Sequence, residues 1–222
     1  MRLSVLPLLA VSLLQVSLGD PEQSLSGGVV SAGAGASQED GISICCAWGR
    51  ALDDGELTIA FTPGDPAAID VMRAAVHAWD MALPELAFRE TAPGQRADIT
   101  ISHAAPSNQT RGTAVASYDR EGLIRRVRID LYGAATPANA GALGQVTKHE
   151  LGHALGLDHS ASAGDLMFPL VDPTLAPVPP CNLTAVREAN RWKLLELSSE
   201  PRRPVRQVVS CGTPVPSRSD RR

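Results

Sequence analysis

The chain has 222 residues, of which 44% are hydrophobic, and this is enough for one domain of ordinary size with a hydrophobic core. Its formal net charge of -4 argues against a nucleic acid as its partner. We therefore expect a globular protein that acts on something other than DNA or RNA.

Two segments precede the predicted domain at residues 45–199. Residues 1–19 combine Arg2, a short apolar run and small residues near the end, which is the pattern of a secretory signal peptide. Residues 20–44 are rich in glycine, serine and alanine over most of their length and are predicted to form a flexible leader. No other stretch approaches the about 20 apolar residues that a membrane-spanning helix needs. We expect a secreted monomer, extracellular or periplasmic.

The cysteines are Cys45, Cys46, Cys181 and Cys211. An even number of cysteines in an exported chain indicates two disulfides. A bond between the neighbours Cys45 and Cys46 is expected to be strained, so each should pair with Cys181 or Cys211. The arginine-rich residues 200–222 are then predicted to be a basic tail that Cys211 ties back to the domain.

Apolar periodicity divides the domain into strands and helices. Asp65 is placed to cap a helix in which Ile69, Met72 and Trp79 recur at helical spacing. A hairpin is predicted around residues 119–122, where two alternating stretches meet. The predicted strands cover residues 56–61, 86–90, 97–102, 112–118 and 123–131, and two further helices cover 140–155 and 183–197.

The stretch His149-Glu150-Leu151-Gly152-His153 carries the strongest chemical signal. On a helix with about 3.6 residues per turn, His149 and His153 project from one face and can share a metal ion. Glu150 stands about 100° round the helix, where its carboxylate can reach a metal-activated water without ligating the metal. Motifs this short also arise by chance on surface helices, so the spacing alone does not decide the question.

Two residues downstream extend the motif. Gly156 comes where the helix must stop, because glycine tolerates the left-handed conformation that ends a helix and reverses the chain. That turn can bring His159 back as a third ligand. Three nitrogen ligands leave one tetrahedral position for water, which is typical of catalytic rather than structural zinc. We therefore predict one catalytic Zn2+ held by His149, His153 and His159.

Met167 follows His159 by eight residues, inside the sequence Asp-Leu-Met-Phe-Pro. A methionine turn downstream of the third ligand is part of the long zincin pattern. Together with Ser160 directly after the third histidine, residues 149–169 resemble the metzincin metallopeptidases and, within them, the matrixin (matrix metalloproteinase-like, M10A) branch. A weaker likeness extends over about residues 55–197.

This resemblance implies an α+β fold of the metzincin (zincin-like) type. Its mixed, twisted sheet of about five strands would be backed by two helices, with a third helix after the methionine turn. The resemblance also implies that a polypeptide substrate lies extended along residues 112–118, which would form an antiparallel edge strand open to strand addition. The same residues could equally form an ordinary edge strand blunted by Ser117 and Asp119.

The resemblance also assigns a substrate pocket beside the zinc. The segment after the methionine turn walls the pocket for the side chain that follows the cut, and here it includes Pro169, Leu170 and Val171. Val171 stands where matrixins usually carry tyrosine, so one wall is altered, and we expect an apolar preference. The residues assigned to support the zinc ligands are Gly156, Ser160 and Met167.

The sequence departs from the matrixin pattern at the residues that would bind a second zinc ion and at those that would keep the enzyme inactive. Matrixins carry a histidine and aspartate cluster for a second, structural zinc, but residues 112–133 contain no histidine, so a second zinc is not expected. Asp119, Glu121 and Asp130 could bind Ca2+ or could be ordinary solvated carboxylates. One of the two adjacent cysteines could stay free and cap the zinc as a thiolate, as a matrixin propeptide cysteine does.

The sequence thus predicts a secreted zinc endopeptidase that hydrolyses extracellular proteins or peptides. Glu150 would be the general base that takes a proton from a metal-activated water and passes it to the leaving amine. The alternative is a non-catalytic binding or adhesion module that keeps the metzincin scaffold. Glu150 discriminates between them, because a binding module has no chemical need for that carboxylate.

Overall fold

The described part of the chain contains both strands and helices, with four consecutive strands between the first two α-helices. The computed structural model describes residues 13–16, 41–92, 94–104, 111–133, 136, 138–172, 177–196, 198, 200–201 and 207–210. Within these ranges the strands are β1 (Leu13–Val16), β2 (Gly41–Ile44), β3 (Glu56–Phe61), β4 (Ala87–Glu90), β5 (Ile99–Ala104), β6 (Gly112–Tyr118), β7 (Ile124–Tyr132), β8 (Leu157–Ser160) and β9 (Gln207–Ser210). The helices are α1 (Pro66–Ala82), α2 (Ala140–Ala154), α3 (Pro180–Ala189) and α4 (Arg191–Leu194).

The main sheet has the strand order β1-β6-β7-β5-β3-β4. β7, β5, β3 and β4 run parallel to one another, while β6 is antiparallel to β7. Apolar residues on the inner side of this sheet, such as Ile59, Ile99, Ile101 and Ile129, are at most 1% exposed and face the helices. All five predicted strands are present, so the predicted α+β class with a mixed five-stranded sheet is confirmed.

A sixth strand lies outside β6. Residues 13–16 pair antiparallel with residues 112–115, and Val16 lies opposite Gly112. In this arrangement β6 is the second strand from the edge, whereas the sequence predicts it as the edge itself. Because residues 13–16 fall within the predicted signal peptide, removal of residues 1–19 would make β6 the edge strand.

α1 and α2 pack against each other on the inner side of the sheet. Asp65 caps α1 as predicted, since its side chain accepts a hydrogen bond from Ala67 N–H at 2.9 Å. Met72 and Trp79 are fully buried on the inner face of α1, and each contributes about 1.5–3 kcal/mol by leaving water. Trp79 Nε1 donates to Lys148 O of α2 at 3.0 Å. Among the described residues, no helix combines the length and apolar character needed to cross a membrane.

A small second sheet, which the sequence does not predict, has the order β8-β2-β9. Both outer strands are antiparallel to β2, with Ile42 opposite Ser160 on one side and Val209 on the other. β2 lies within the predicted leader and β9 within the predicted tail. Both segments therefore contribute a strand to the fold, and β2 lies between β9 and β8, the strand that follows α2.

A third helix is present after the methionine turn, but the predicted helix at 183–197 is divided in two at Asn190. The Asn190 side chain is 1% exposed and accepts a hydrogen bond from Trp48 N–H at 2.9 Å. Its amide group donates to Leu155 O at 2.9 Å. This carbonyl lies at the C-terminal end of α2, where backbone acceptors have no partner within the helix. The break at Asn190 thus supports the end of α2.

The predicted disulfide pairing is wrong, because Cys45 and Cys46 form a disulfide with each other. The backbone N–H groups of both residues donate to Gly156 O, at 3.0 and 3.4 Å. Successive residues of an extended strand point to opposite faces, so this shared acceptor requires a tighter backbone that brings both side chains together. Neither sulfur is then available as a zinc-capping thiolate. Cys181 is also disulfide-bonded, and Cys211 lies outside the described residues.

Candidate metal centre and catalytic site

α2 carries two of the candidate ligands on its buried side. His149 and His153 are one helical turn apart, are 0% and 4% exposed, and have ring centroids 4.7 Å apart. The helix packs against α1 and against β6 and β7. Both rings therefore point into the protein, next to the strand predicted to bind substrate.

Gly156 reverses the chain after α2 and leads to the third histidine. Its φ is 102°, which glycine adopts without the strain that a Cβ would add. The turn continues into β8, where the ring centroid of His159 lies 5.4 Å from that of His149 and 4.9 Å from that of His153. One ligand atom from each ring lies within 4.8 Å of the other two. The structure thus brings the three predicted ligands together.

We expect Gly156→Ala to destabilise the protein by about 2–5 kcal/mol. Alanine would have to keep a positive φ, and its Cβ would overlap Cys46 O, a backbone atom that cannot turn aside. Urea denaturation measures the effect. Gly144→Ala in α2 is the matched control, because its Cβ would meet only Val71 Cγ1 at 3.5 Å. Equal stability of Gly156→Ala and the parent would contradict this account of the turn.

Backbone carbonyls fix the protons on two of the rings. His149 Nδ1 lies 2.6 Å from Leu166 O, and His153 Nδ1 lies 2.8 Å from Leu157 O. A carbonyl only accepts hydrogen bonds, so each Nδ1 carries the proton and each Nε2 carries the lone pair. Partners of this kind orient metal-ligating histidines and raise their basicity.

The Nε2 atoms of His149, His153 and His159 are buried without a hydrogen-bond partner. Buried polar atoms are nearly always paired, because an unpaired one costs about 1–3 kcal/mol. A metal ion would satisfy all three, and a set of imidazole nitrogens suits zinc. Within the described part of the chain, these three histidines are the one group of three potential ligands whose ligand atoms converge.

Burial also keeps the rings in the neutral form. It lowers the pKa of His153 to about 3 and is the main cause that lowers the pKa of His149 well below its usual value. The pKa of His159 is lowered by burial as well. Neutral imidazole is the form that binds a metal, so at neutral pH the site does not have to release protons first.

Glu150 follows His149 on α2 and is 0% exposed. Neither of its carboxylate oxygens has a hydrogen-bond partner, and burial raises its pKa well above the usual range. A carboxylate with a raised pKa binds a proton more readily, which suits a general base. Glu150 is not a member of the converging histidine group, as expected for a residue that does not ligate the metal.

Met167 is fully buried against α2. A Cβ at position 152 would overlap its Sδ atom, so the sulfur fits there because Gly152 has no side chain. Ser160 N–H donates to Met167 O at 2.9 Å and joins the methionine turn to β8. The preceding residue, Leu166, supplies the carbonyl that orients the first histidine. The turn therefore holds both a ligand ring and the strand of the third ligand.

The predicted pocket residues Pro169, Leu170 and Val171 differ in their surroundings. Val171 is 6% exposed and belongs to the hydrophobic core, whereas Leu170 is 49% exposed and Pro169 is half-buried. Residues 173–176 lie outside the described part of the chain. The structure thus turns Val171 inward and leaves Leu170 open to solvent.

Two of the three carboxylates considered for Ca2+, those of Asp119 and Asp130, have structural partners. Asp119 Oδ1 accepts hydrogen bonds from Glu121 N–H at 3.0 Å and Leu123 N–H at 2.8 Å, which closes the turn between β6 and β7. Asp130 pairs with Arg128 at 2.9 Å. These residues do not form a converging ligand group in the described structure, and the calcium hypothesis gains no support.

Two features of the site escape sequence reasoning. The carbonyls of Leu157 and Leu166 orient the histidines, but every residue carries the same group, so no side-chain pattern reveals them. Gly112, the first residue of β6, lies against the Glu150 carboxylate. A glycine at the start of a predicted strand is the only signal that could have drawn attention to it.

Comparison with known proteins agrees with the matrixin resemblance. The matrixin model of the M10 peptidases matches residues 119–179, which include the three histidines, Glu150 and Met167. The chain is therefore matrixin-like over this segment, and the match supports a metalloprotease.

Two solved structures of myroilysin are also similar, each with 15% sequence identity. The crystal structure of myroilysin has a TM-score of 0.36 and is aligned over 47% of this chain and 44% of that chain. The other structure has a TM-score of 0.37, with 53% and 54% covered. The chain thus spans about half the length of these proteins. No curated protein matches the sequence significantly.

Proposed function

We propose that the protein is a secreted zinc endopeptidase that hydrolyses peptide bonds of extracellular proteins or peptides. The observation that carries this proposal is the group of three buried, partnerless Nε2 atoms beside a buried, partnerless carboxylate. Three protein ligands leave a coordination position open, which favours a catalytic over a structural zinc. The matrixin match covers all of these residues.

His149, His153 and His159 would hold the zinc through Nε2. A bound zinc ion supplies a Lewis acid and makes water acidic enough to lose a proton near neutral pH. The contribution of the protein is orientation, because the carbonyls of Leu166 and Leu157 fix two rings with their lone pairs directed at one place.

Glu150 would act as the general base. Its carboxylate takes a proton from the attacking water and then gives it to the nitrogen of the leaving amine. The oxygens have no hydrogen-bond partner in the described structure, so no neighbouring donor competes for them. The raised pKa of Glu150 stabilises the protonated carboxyl group, which is the form that exists between these two steps.

The substrate would lie along β6 as an added antiparallel strand. β6 adjoins α2, the helix that carries His149 and Glu150. The pairing of residues 13–16 with β6 supports this mode, because it is an extended segment joined to this strand through backbone hydrogen bonds. Backbone pairing depends little on side chains, so sequence preference would come from pockets near the metal.

Secretion and activation would be connected in this arrangement. The pattern of residues 1–19 and the disulfide between Cys45 and Cys46 both favour an oxidising compartment, extracellular or periplasmic. Cleavage of the signal peptide would remove residues 13–16 from β6. The strand would then become available to substrate only after export.

The proposal is tested by digestion of a peptide library with the purified protein, combined with metal analysis. We expect one zinc ion per chain, cleavage that stops when EDTA removes the metal, and recovery when Zn2+ is added back. Cleavage that persists in the metal-free protein would reject the mechanism. Zinc binding without cleavage of any peptide would reject the enzyme and favour the binding or adhesion module.

A further inference from the structure

Gly112 lies directly against the carboxylate of the proposed general base. A Cβ built on this residue would lie 2.5 Å from Glu150 Oε1 and 2.8 Å from Glu150 Cγ. It would also lie 2.8 Å from Val146 Cγ1, one helical turn earlier on α2. Real Cβ atoms do not approach other heavy atoms this closely, so the side chain of Glu150 occupies space that any other residue at position 112 would fill.

The backbone of Gly112 does not itself require glycine. Positive φ angles occur at Gly55, Gly94, Gly122, Gly133, Gly156 and Gly164 among the described residues, and Gly112 is not one of them. Glycine also weakens a strand, because it costs conformational entropy and adds no side-chain packing. Glycine is therefore required at the start of β6 because a side chain there would overlap Glu150.

Packing is also the only restraint on the Glu150 carboxylate that the described structure contains. Both oxygens are buried and make no hydrogen bond. A glutamate side chain has three rotatable bonds, so without a hydrogen bond its carboxylate is placed by the walls around it. Gly112 of β6 forms one of these walls, on the side of α2 that faces the strand.

We propose that Gly112 is a positioning residue for peptide hydrolysis, because the absence of its side chain sets where the Glu150 carboxylate lies relative to the histidine cluster. This inference rests on the proposed function. It gives β6 two roles. The strand pairs with the peptide substrate, and it also positions Glu150, the general base that acts on that substrate. Gly112 acts only through Glu150 and contributes no reacting group.

A small change at Gly112 should separate this role from a structural one. The closest atom is Glu150 Oε1 at the end of its side chain, and Glu150 Cγ and Val146 Cγ1 follow at 2.8 Å. All three are side-chain atoms, so an added methyl group displaces the carboxylate and presses on Val146. Overpacking of this kind also destabilises the fold, so urea denaturation of the variant accompanies the kinetics. The base loses its position, and an error of about 1 Å in such a group can cost about 100-fold in rate.

The experiment compares Gly112→Ala with the parent and with Gly144→Ala, a second glycine-to-alanine change, in which the new Cβ has an ordinary contact with Val71. For Gly112→Ala we expect kcat to fall by about 100-fold with KM nearly unchanged. Zinc content should stay at one ion per chain, and Gly144→Ala should cleave like the parent. The double variant Gly112→Ala/Val146→Ala removes the contact with valine and should remain slow.

A direct structural measurement accompanies the kinetics. In the zinc-loaded parent protein, an NOE between the α protons of Gly112 and the γ protons of Glu150 is expected, and its absence would overturn the inference. Full activity of Gly112→Ala would overturn it as well, and so would a raised KM at unchanged kcat, which would assign Gly112 to substrate pairing alone. A parent protein that cleaves no peptide would instead reject the proposed function, so the two failures are distinct.

Discussion

Glu150→Gln is expected to lower kcat by about 10²- to 10⁴-fold while the protein keeps its zinc. Glutamine has nearly the same shape as glutamate, but its amide cannot take a proton from water and return it to the leaving amine. The side chain is fully buried, so water cannot easily replace it as the base. Steady-state kinetics with a fluorogenic peptide and metal analysis of the same sample measure the two quantities.

Glu121→Gln provides the control for the change in charge. Glu121 is exposed in the turn between β6 and β7, and its replacement removes the same charge away from the histidines. We expect this variant to cleave like the parent. If Glu150→Gln also retained full activity with zinc bound, the general base would have to be another group, and the proposed role of Glu150 would be wrong.

His153→Ala is expected to abolish stable zinc binding and, with it, peptide cleavage. Changes to the partners that orient a ligand already lower metal affinity by about 10- to 100-fold, and loss of the ligand itself should exceed that. The remaining two rings would share an ion with water in a space shaped for three. Competition with a chromophoric chelator measures the affinity.

His77→Ala is the matched control for this change. His77 is exposed on α1, outside the converging group of histidines, so its removal should leave zinc affinity and cleavage unchanged. Retention of zinc by His153→Ala with the affinity of the parent would show that the ion binds elsewhere, and the three-histidine site would have to be abandoned.

The core of the site could be predicted from sequence because its determinants are local. The spacing of His149 and His153 places both rings on one side of any helix. Gly156 can adopt the positive φ that reverses the chain after α2. His159 follows three residues later, which is the spacing that returns it to the other two histidines. Met167, which the resemblance assigns to support the ligands, lies buried against α2 in the structure.

The features that escaped prediction depend on contacts between distant parts of the chain. β2, β8 and β9 are short strands that pair with partners from distant parts of the chain, and a local alternating pattern does not reveal such pairing. The helix break at Asn190 follows from hydrogen bonds to Trp48 and Leu155, which periodicity cannot report. The disulfide between Cys45 and Cys46 depends on a local backbone held by Gly156 O.

The three-stranded sheet has a consequence for the order in which the protein matures. β8, which carries His159, is linked through β2 to β9, and β9 follows all three histidines in the chain. During synthesis the three candidate ligands therefore leave the ribosome before β9, the strand that completes this sheet. The sheet that includes β8, and with it His159, would therefore reach its full strand order only after β9 has been synthesised.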